Sequence, residues 1–411
     1  MIRISFWNTY RSALVIFTVG MFFTNFADYS QRWGLIPLFW IVVFAALTMP
    51  AMLQGIYRGR VPVPPIFWWG LYYMMLSVLW FYRSPQDAIA YQNVQTRVLS
   101  VMFLMLCLIV CNRAREQLLA RQAIAIAVLI ATALNVYELF HPMTFSTIPG
   151  RSSGIYTNVN QSGAALVLGL ILSYHVIPDR LKMLFVGITA LGIVPTFSRS
   201  AMVGWVVVVG YFWMRSGIVA QFRRVFAFAT VGVVAIYSPI WKNLQQSLEE
   251  KGVLNLNVLE RIAFFTSGTQ SDSSANERKA VATRAWELFG ERPLLGWGTG
   301  ASRRIEGFEV GTHNIYLAML VDHGILGFFV IPGLVVSTLW GANRKTMDVA
   351  IPFVLFIVIW GFFSHNVLEE RYILLAVGLL ASMVATYRIP RSVSVPNATI
   401  PANQQLAVPS A

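Results

Sequence analysis

The chain has 411 residues, of which 56% are hydrophobic and only 12% are charged, and it carries a formal net charge of +13. A soluble domain is nearer a quarter charged and needs that polarity to cover its surface, so this composition excludes an ordinary soluble enzyme or binding module. Hydrocarbon as solvent removes the requirement, because the outer face of the protein can then be apolar too.

The first segment, MIRISFWNTYRSALVIFTVGMFFTNF, sets basic residues ahead of an apolar run. It lacks a small-residue cleavage site and reads as a first spanning helix rather than a cleaved signal. Apolar segments follow near 9–27, 34–54, 64–82, 97–112, 122–140, 161–177, 181–197, 200–214 and 224–240, then, after a polar stretch, near 324–340, 349–364 and 372–388. A span needs about 20 apolar residues, so the pattern predicts an all-α polytopic membrane protein with about twelve transmembrane helices. The expected divisions are helices one to nine in 1–240, a large partly helical outer loop with a short helix in 241–323, the last three helices in 324–390, and a Pro/Ser/Ala-rich disordered tail in 391–411. No internal repeat is evident. Cys107 and Cys111, four residues apart on one apolar helix, read as small buried residues and offer no disulfide framework or metal site.

Charge orients the spans. With the N-terminus inside, the inner segments hold Arg3, Arg11, Arg58, Arg60, Arg113, Arg115, Arg121, Arg180, Lys182, Arg215, Arg223, Arg224, Arg344, Lys345, Arg388 and Arg391, against Glu116, Asp179 and Asp348. Cytoplasmic loops collect Lys and Arg, so the basic balance is a topology signal and not a nucleic-acid footprint. Both termini are then cytoplasmic. The stretch 241–312 lies outside and is charge-balanced, and its segment KAVATRAWELFGERP and its GWGTG turn favour ordered structure. Loops this long are functional or disordered.

Arg151, Arg199, Arg278 and Arg284 stand against the orientation rule on the outer side. Each alone reads equally as an ion-pair partner or interfacial anchor. Together they point to an anion at the outer leaflet, because a guanidinium matches phosphate with a rigid fork of donors. His313, in GTHNIYLAML, opens an apolar segment too long for one span, and a break is expected near Gly324, beside Asp322 and His323. The imidazole is a helix-start residue by default, and also a side chain able to move a proton near neutral pH. His365, with Glu369, Glu370 and Arg371, reads as a compact structural cap. A Walker-type Gly-Lys-Ser/Thr loop, a His-Glu-x-x-His and a paired-Cys metal site are all missing from the sequence, so ATP hydrolysis within the chain is unsupported.

The order GRSSGIYTNVNQSGAAL, TFSRSAMVGW, ERKAVATRAWELFGERPLLGWGTG and HNIYLAMLVDHGILG resembles the O-antigen ligase and polymerase superfamily from about Gly150 to Gly327. The most specific elements are Pro-Leu-Leu-Gly-Trp-Gly at 293–298 and His-Asn-x-Tyr-Leu at 313–317. The resemblance implies a GT-C-like fold of lipid-linked-sugar transferases and a glycosyltransferase needing neither cofactor, metal nor ATP. The implied donor is a glycan on undecaprenyl pyrophosphate, and the acceptor of the ligase branch is a sugar hydroxyl of lipid A–core. By the same resemblance Arg199 matches the Ser-Arg motif, His313 the His-Asn motif with Asn314 and Tyr316 beside it, and Arg278 the arginine ahead of Pro-Leu-Leu-Gly. Asn276-Glu277 stands where the family has Ser-Gly, which leaves Arg261 or Arg284 as alternatives to Arg278. Arg151, Asn158 and Asn160 match an earlier loop motif more loosely. His313 is then expected as general base, or as a group orienting the acceptor, with the arginines stabilising the leaving pyrophosphate and with inversion at the anomeric carbon. An O-antigen polymerase and a protein O-oligosaccharyltransferase share these motifs. A transporter or flippase is the rival of another class, to be recognised by inverted repeats.

Overall fold

The computed structural model describes residues 6–57, 63–215, 258, 273–305 and 311–388, and among them all regular structure is helical. The expected span 224–240, Arg261 and the tail 391–411 lie outside the described residues. Helix α1 (Phe6–Thr18) runs on as a π turn to Phe23, and α2 (Phe26–Tyr29) follows at a bend of 60°. Next come α3 (Pro37–Tyr57), α4 (Pro65–Phe81), α5 (Ala88–Val110), α6 (Ala114–Phe140), α7 (Val159–Ser173), α8 (Asp179–Ile193) and α9 (Arg199–Arg215). After the break in description come α10 (Ser273–Glu291), α11 (Ile315–His323), α12 (Ile325–Phe328), α13 (Val330–Leu339), α14 (Arg344–Gly361) and α15 (Arg371–Arg388). Each expected apolar segment other than 224–240 coincides with a helix or a run of helices. By length and composition, four helices among the described residues suffice to cross a membrane, five with the bent N-terminal pair, while Pro65–Phe81, Ile325–Leu339 and Arg371–Thr386 are shorter apolar helices. The chain is a polytopic helical membrane protein.

The interior is built on α7 and α15. Residues Ser162 to Ser173 and Tyr372 to Val384 are all buried, as a helix apolar on every side must be. Small residues let neighbours approach: Gly163 faces Ala201, Gly169 faces Val128, and Gly378 faces Cys107. Around this pair the outward residues Ile16, Val42, Ile126, Leu191 and Val206 are exposed, an apolar belt suited to hydrocarbon.

Charges collect at the two ends of the bundle. At one end Arg11 donates to the Asn112 side chain at 2.9 Å and Arg215 pairs with Asp348 at 2.8 Å. At the other, Arg371 grips Asp28 at 2.8 and 3.1 Å, Arg303 pairs with Glu369 at 2.6 Å, and Arg304 pairs with Asp87. The second end carries the loops that form the candidate site.

Candidate active site at the loop end of the bundle

The site rests on a joint between α10 and α11. Val281, Ala285 and Leu288 recur at helical spacing and pack with Ile305, Val321, Trp297 and Leu317 as a small separate core. The loop after α10 is docked onto the far end of α11. The Trp297 and Gly298 amides donate to the carbonyls of Val321 and Asp322, both at 2.9 Å, and the Ile325 amide donates to Pro293 at 2.8 Å. The Asp322 carboxylate receives the Ser302 amide at 2.8 Å, the Gly300 amide at 3.1 Å and Arg97 at 2.6 Å. Arg97 also reaches His323 Nε2 at 2.7 Å. A guanidinium only donates, so His323 Nε2 accepts and the ring proton sits on Nδ1. The glycines are required by space: a Cβ on Gly298 (φ +99°) would lie 2.6 Å from the Ser84 amide nitrogen, and one on Gly324 (φ +63°) 2.5 Å from the Leu294 carbonyl. The break expected near Gly324 is therefore real, with Asp322 and His323 as the anchor.

This joint brings Arg278 to His313. Arg278 lies one turn before Val281, on the face α10 turns toward α11. His313 immediately precedes Asn314, which caps α11 by accepting the Tyr316 and Leu317 amides at 2.9 and 3.2 Å. Arg278, Ala282, Thr312, His313, Asn314, Phe362 and Phe363 line one cavity of about 80 Å³. Burial, then the Arg278 charge, lowers the His313 pKa below its ordinary 6.5, with Glu277 opposing. The imidazole is therefore neutral at neutral pH and able to accept a proton. Its ring lies 5.6 Å from that of His365, whose pKa is lowered to about 4 by burial, Arg303 and His313.

Arg199 opens α9, after a sharp turn in which Phe197 adopts φ +47°. That conformation costs a non-glycine residue roughly 1–2 kcal/mol. Helix α9 runs antiparallel to α14: Arg215 pairs with Asp348, and Gly204 meets the Phe356 ring. This register sets Arg199 level with the 361–363 turn that walls the cavity. Arg284 lies elsewhere, half-exposed and paired with Glu287 at 3.0 Å and Glu291 at 3.6 Å on its own helix.

Residues 184–331 match the family model described as O-antigen ligase. Over that stretch the chain is similar to the O-antigen ligase family. No curated protein matches the chain. The matched stretch holds Arg199, Arg278, the docked 293–304 loop and His313, while Arg151, Asn158 and Asn160 lie ahead of it.

The loop ahead of the matched stretch supports the Arg199 turn. Buried Arg151 donates from Nε to the Thr196 carbonyl at 2.8 Å and from Nη2 to the Asn160 side-chain oxygen at 3.1 Å. Asn158 caps α7 by accepting the Asn160 amide at 2.8 Å. The loop itself is gathered by Glu138, whose buried carboxylate accepts the amides of Phe145 at 2.7 Å, Ser153 at 2.7 Å and Gly154 at 3.0 Å, and also that of Ser146. Neither Glu138 nor Arg97 features among the sequence-derived candidates. The signal for both was a charge inside an apolar stretch of helix, where desolvation demands a partner.

The expected polar cap of His365, Glu369, Glu370 and Arg371 is not closed on itself. Glu369 binds Arg303 and Arg371 binds Asp28, so these neighbours tie three elements together. Glu370 accepts from Gln161 at 2.6 Å, and burial, followed by the nearby Asp28 charge, pushes its pKa up to about 8. A folded pKa above the ordinary 4.5 means the folded state holds a proton that the unfolded state releases. This group's contribution to stability is present below the unfolded pKa and is lost as pH rises toward about 8. Glu370→Gln is therefore expected to flatten the decline in melting temperature between pH 5 and 8 relative to wild type, a comparison that scanning fluorimetry reads directly. Parallel curves for the two proteins would show that Glu370 is ionised in the fold.

Proposed function

We propose that the protein is a glycosyltransferase at the outer face of the bacterial inner membrane, with both termini cytoplasmic. In the ligase reading it moves an O-antigen glycan from undecaprenyl pyrophosphate to a sugar hydroxyl of lipid A–core. The observation that carries this reading is a neutral imidazole and a guanidinium, His313 and Arg278, lining one cavity inside the stretch that matches the O-antigen ligase family. The acceptor oxygen attacks the anomeric carbon and gives its proton to His313, while the bond to the pyrophosphate oxygen breaks and the electron pair leaves with the pyrophosphate. Attack opposite the leaving group inverts the anomeric centre. Arg278 and Arg199 meet the charge developing on the leaving group, which fixed cations do without reorganising. Arg151 acts one step back, through the Thr196 carbonyl that precedes Arg199.

Arg278→Ala is expected to lower turnover by about 10²–10³-fold, the range seen when one charge-stabilising donor is removed. Arg278→Gln makes a sharper prediction. Wild-type rate falls as pH drops through the lowered pKa of His313, and removing the Arg278 charge raises that pKa, so the acid limb of the pH–rate profile moves to higher pH. An unmoved limb would separate Arg278 from the titrating base. Arg199→Ala is expected to lower turnover with insertion unchanged, and normal transfer by both alanine variants would remove the cationic clamp.

A further inference from the structure

We infer that Thr312 and the Phe362–Phe363 turn form the seat for the acceptor's pyranose ring, an inference that rests on the transferase reading above. The cavity beside His313 has two unlike walls. One carries the Arg278 charge, and the other is the pair of phenyl rings at the outer end of α14. Phe362 and Phe363 remain 56% and 45% exposed, although the turn that carries them is tightly held. The Phe362 ring lies 4.7 Å from the Tyr316 ring, and the Tyr316 hydroxyl donates to the Val358 carbonyl at 2.9 Å. A Cβ on Gly361 would come within 3.0 Å of both Ile315 and Tyr316, so the turn and the helix behind His313 form one rigid body.

Thr312 lines the same cavity, 2% exposed, and its Oγ1 has no hydrogen-bond partner among the described residues. A buried hydroxyl left unpaired is costly, and this one lines the cavity, where a ligand hydroxyl can pair with it. Interface belts favour Trp and Tyr over Phe, which argues against reading the rings only as bilayer anchors. A pyranose presents C–H bonds on one face and hydroxyls at its edge. Stacked on Phe362 and Phe363, it would offer one hydroxyl to Thr312 and another to His313. The cavity volume of about 80 Å³ admits the reacting edge of one ring rather than a glycan chain. An anionic donor is served by the Arg278 charge in the same lining.

The test is steady-state transfer by the full chain in nanodiscs, with a polyprenyl-pyrophosphate glycan as donor and lipid A–core as acceptor. Thr312→Val and Phe363→Leu are expected to raise the acceptor KM about five- to tenfold, the loss of one neutral hydrogen bond or stacking contact, with donor KM unchanged. Thr312→Ser, which keeps the hydroxyl, is expected to restore the acceptor KM and so sets aside a folding defect. Saturation-transfer NMR with delipidated core oligosaccharide, without donor, is expected to show transfer onto its sugar protons in wild type and a loss of that signal in Phe363→Leu. A rise in donor KM in place of acceptor KM, or wild-type KM values in both variants, would overturn the seat. Failure of wild type to transfer would instead strike the ligase reading, and the donor-free NMR signal still decides whether the seat binds a sugar.

Discussion

His313→Ala is expected to reduce transfer by about 10²–10⁴-fold, the contribution of a positioned general base, while donor binding stays near wild type. The ground for the split is spatial. His313 lines the cavity with Phe362 and Phe363, whereas in the proposed mechanism the charges that meet pyrophosphate belong to Arg278 and Arg199. Loss of the imidazole leaves those cations in place. The substitution is also structurally mild, because the cap of α11 is made by the next residue, Asn314, and not by His313. Rapid-quench measurement of the transfer step beside equilibrium binding of labelled donor reads both quantities. Equal loss of both would make His313 a structural residue.

Asp322→Ala is expected to be the most damaging single change away from the cavity. Asp322 is fully buried, and its carboxylate neutralises Arg97 while receiving two loop amides. Removing one partner of a buried ion pair leaves the other charge uncompensated, which costs about 3–5 kcal/mol. Here it also frees the 293–304 loop, so the distance from Arg278 to His313 is no longer set. Both a lower melting temperature and a loss of transfer follow. Arg97→Met combined with Asp322→Leu is expected to recover part of the stability, since apolar residues of similar size replace a buried pair well, but not the activity, because the amides of Gly300 and Ser302 stay unanchored. Unchanged melting of Asp322→Ala would show that the loop is held by its backbone bonds alone.

Much of the architecture was written in the hydropathy of the chain. Apolar runs of span length, broken at Gly324, mark where the helices lie, because a bilayer tolerates little else. Some of these segments, such as Pro65–Phe81, are shorter apolar helices, a difference that segment counting does not register. In the site, His313 and Arg278 could be picked out by residue type and motif, yet nothing in their spacing of 35 positions says that they meet; the meeting depends on the α10 face of Val281 and Ala285 and on the docked loop. Arg284, equally prominent in sequence, is drawn to Glu287 and Glu291 on its own helix, a local i,i+3 attraction that motif comparison does not weigh. Arg97, Asp322 and Glu138 are legible only as charges in the wrong solvent, and the backbone amides of distant loops that Asp322 and Glu138 accept carry no sequence signature at all.

The most direct test of the central claim is a reconstituted transfer reaction with purified protein, undecaprenyl-pyrophosphate glycan and lipid A–core, run with EDTA and without ATP. The account predicts glycan-bearing lipid A, released pyrophosphate-linked carrier, and product formation by His313→Ala slowed by about 10²–10⁴-fold. Donor bound by active protein without any glycan-bearing lipid A would contradict it.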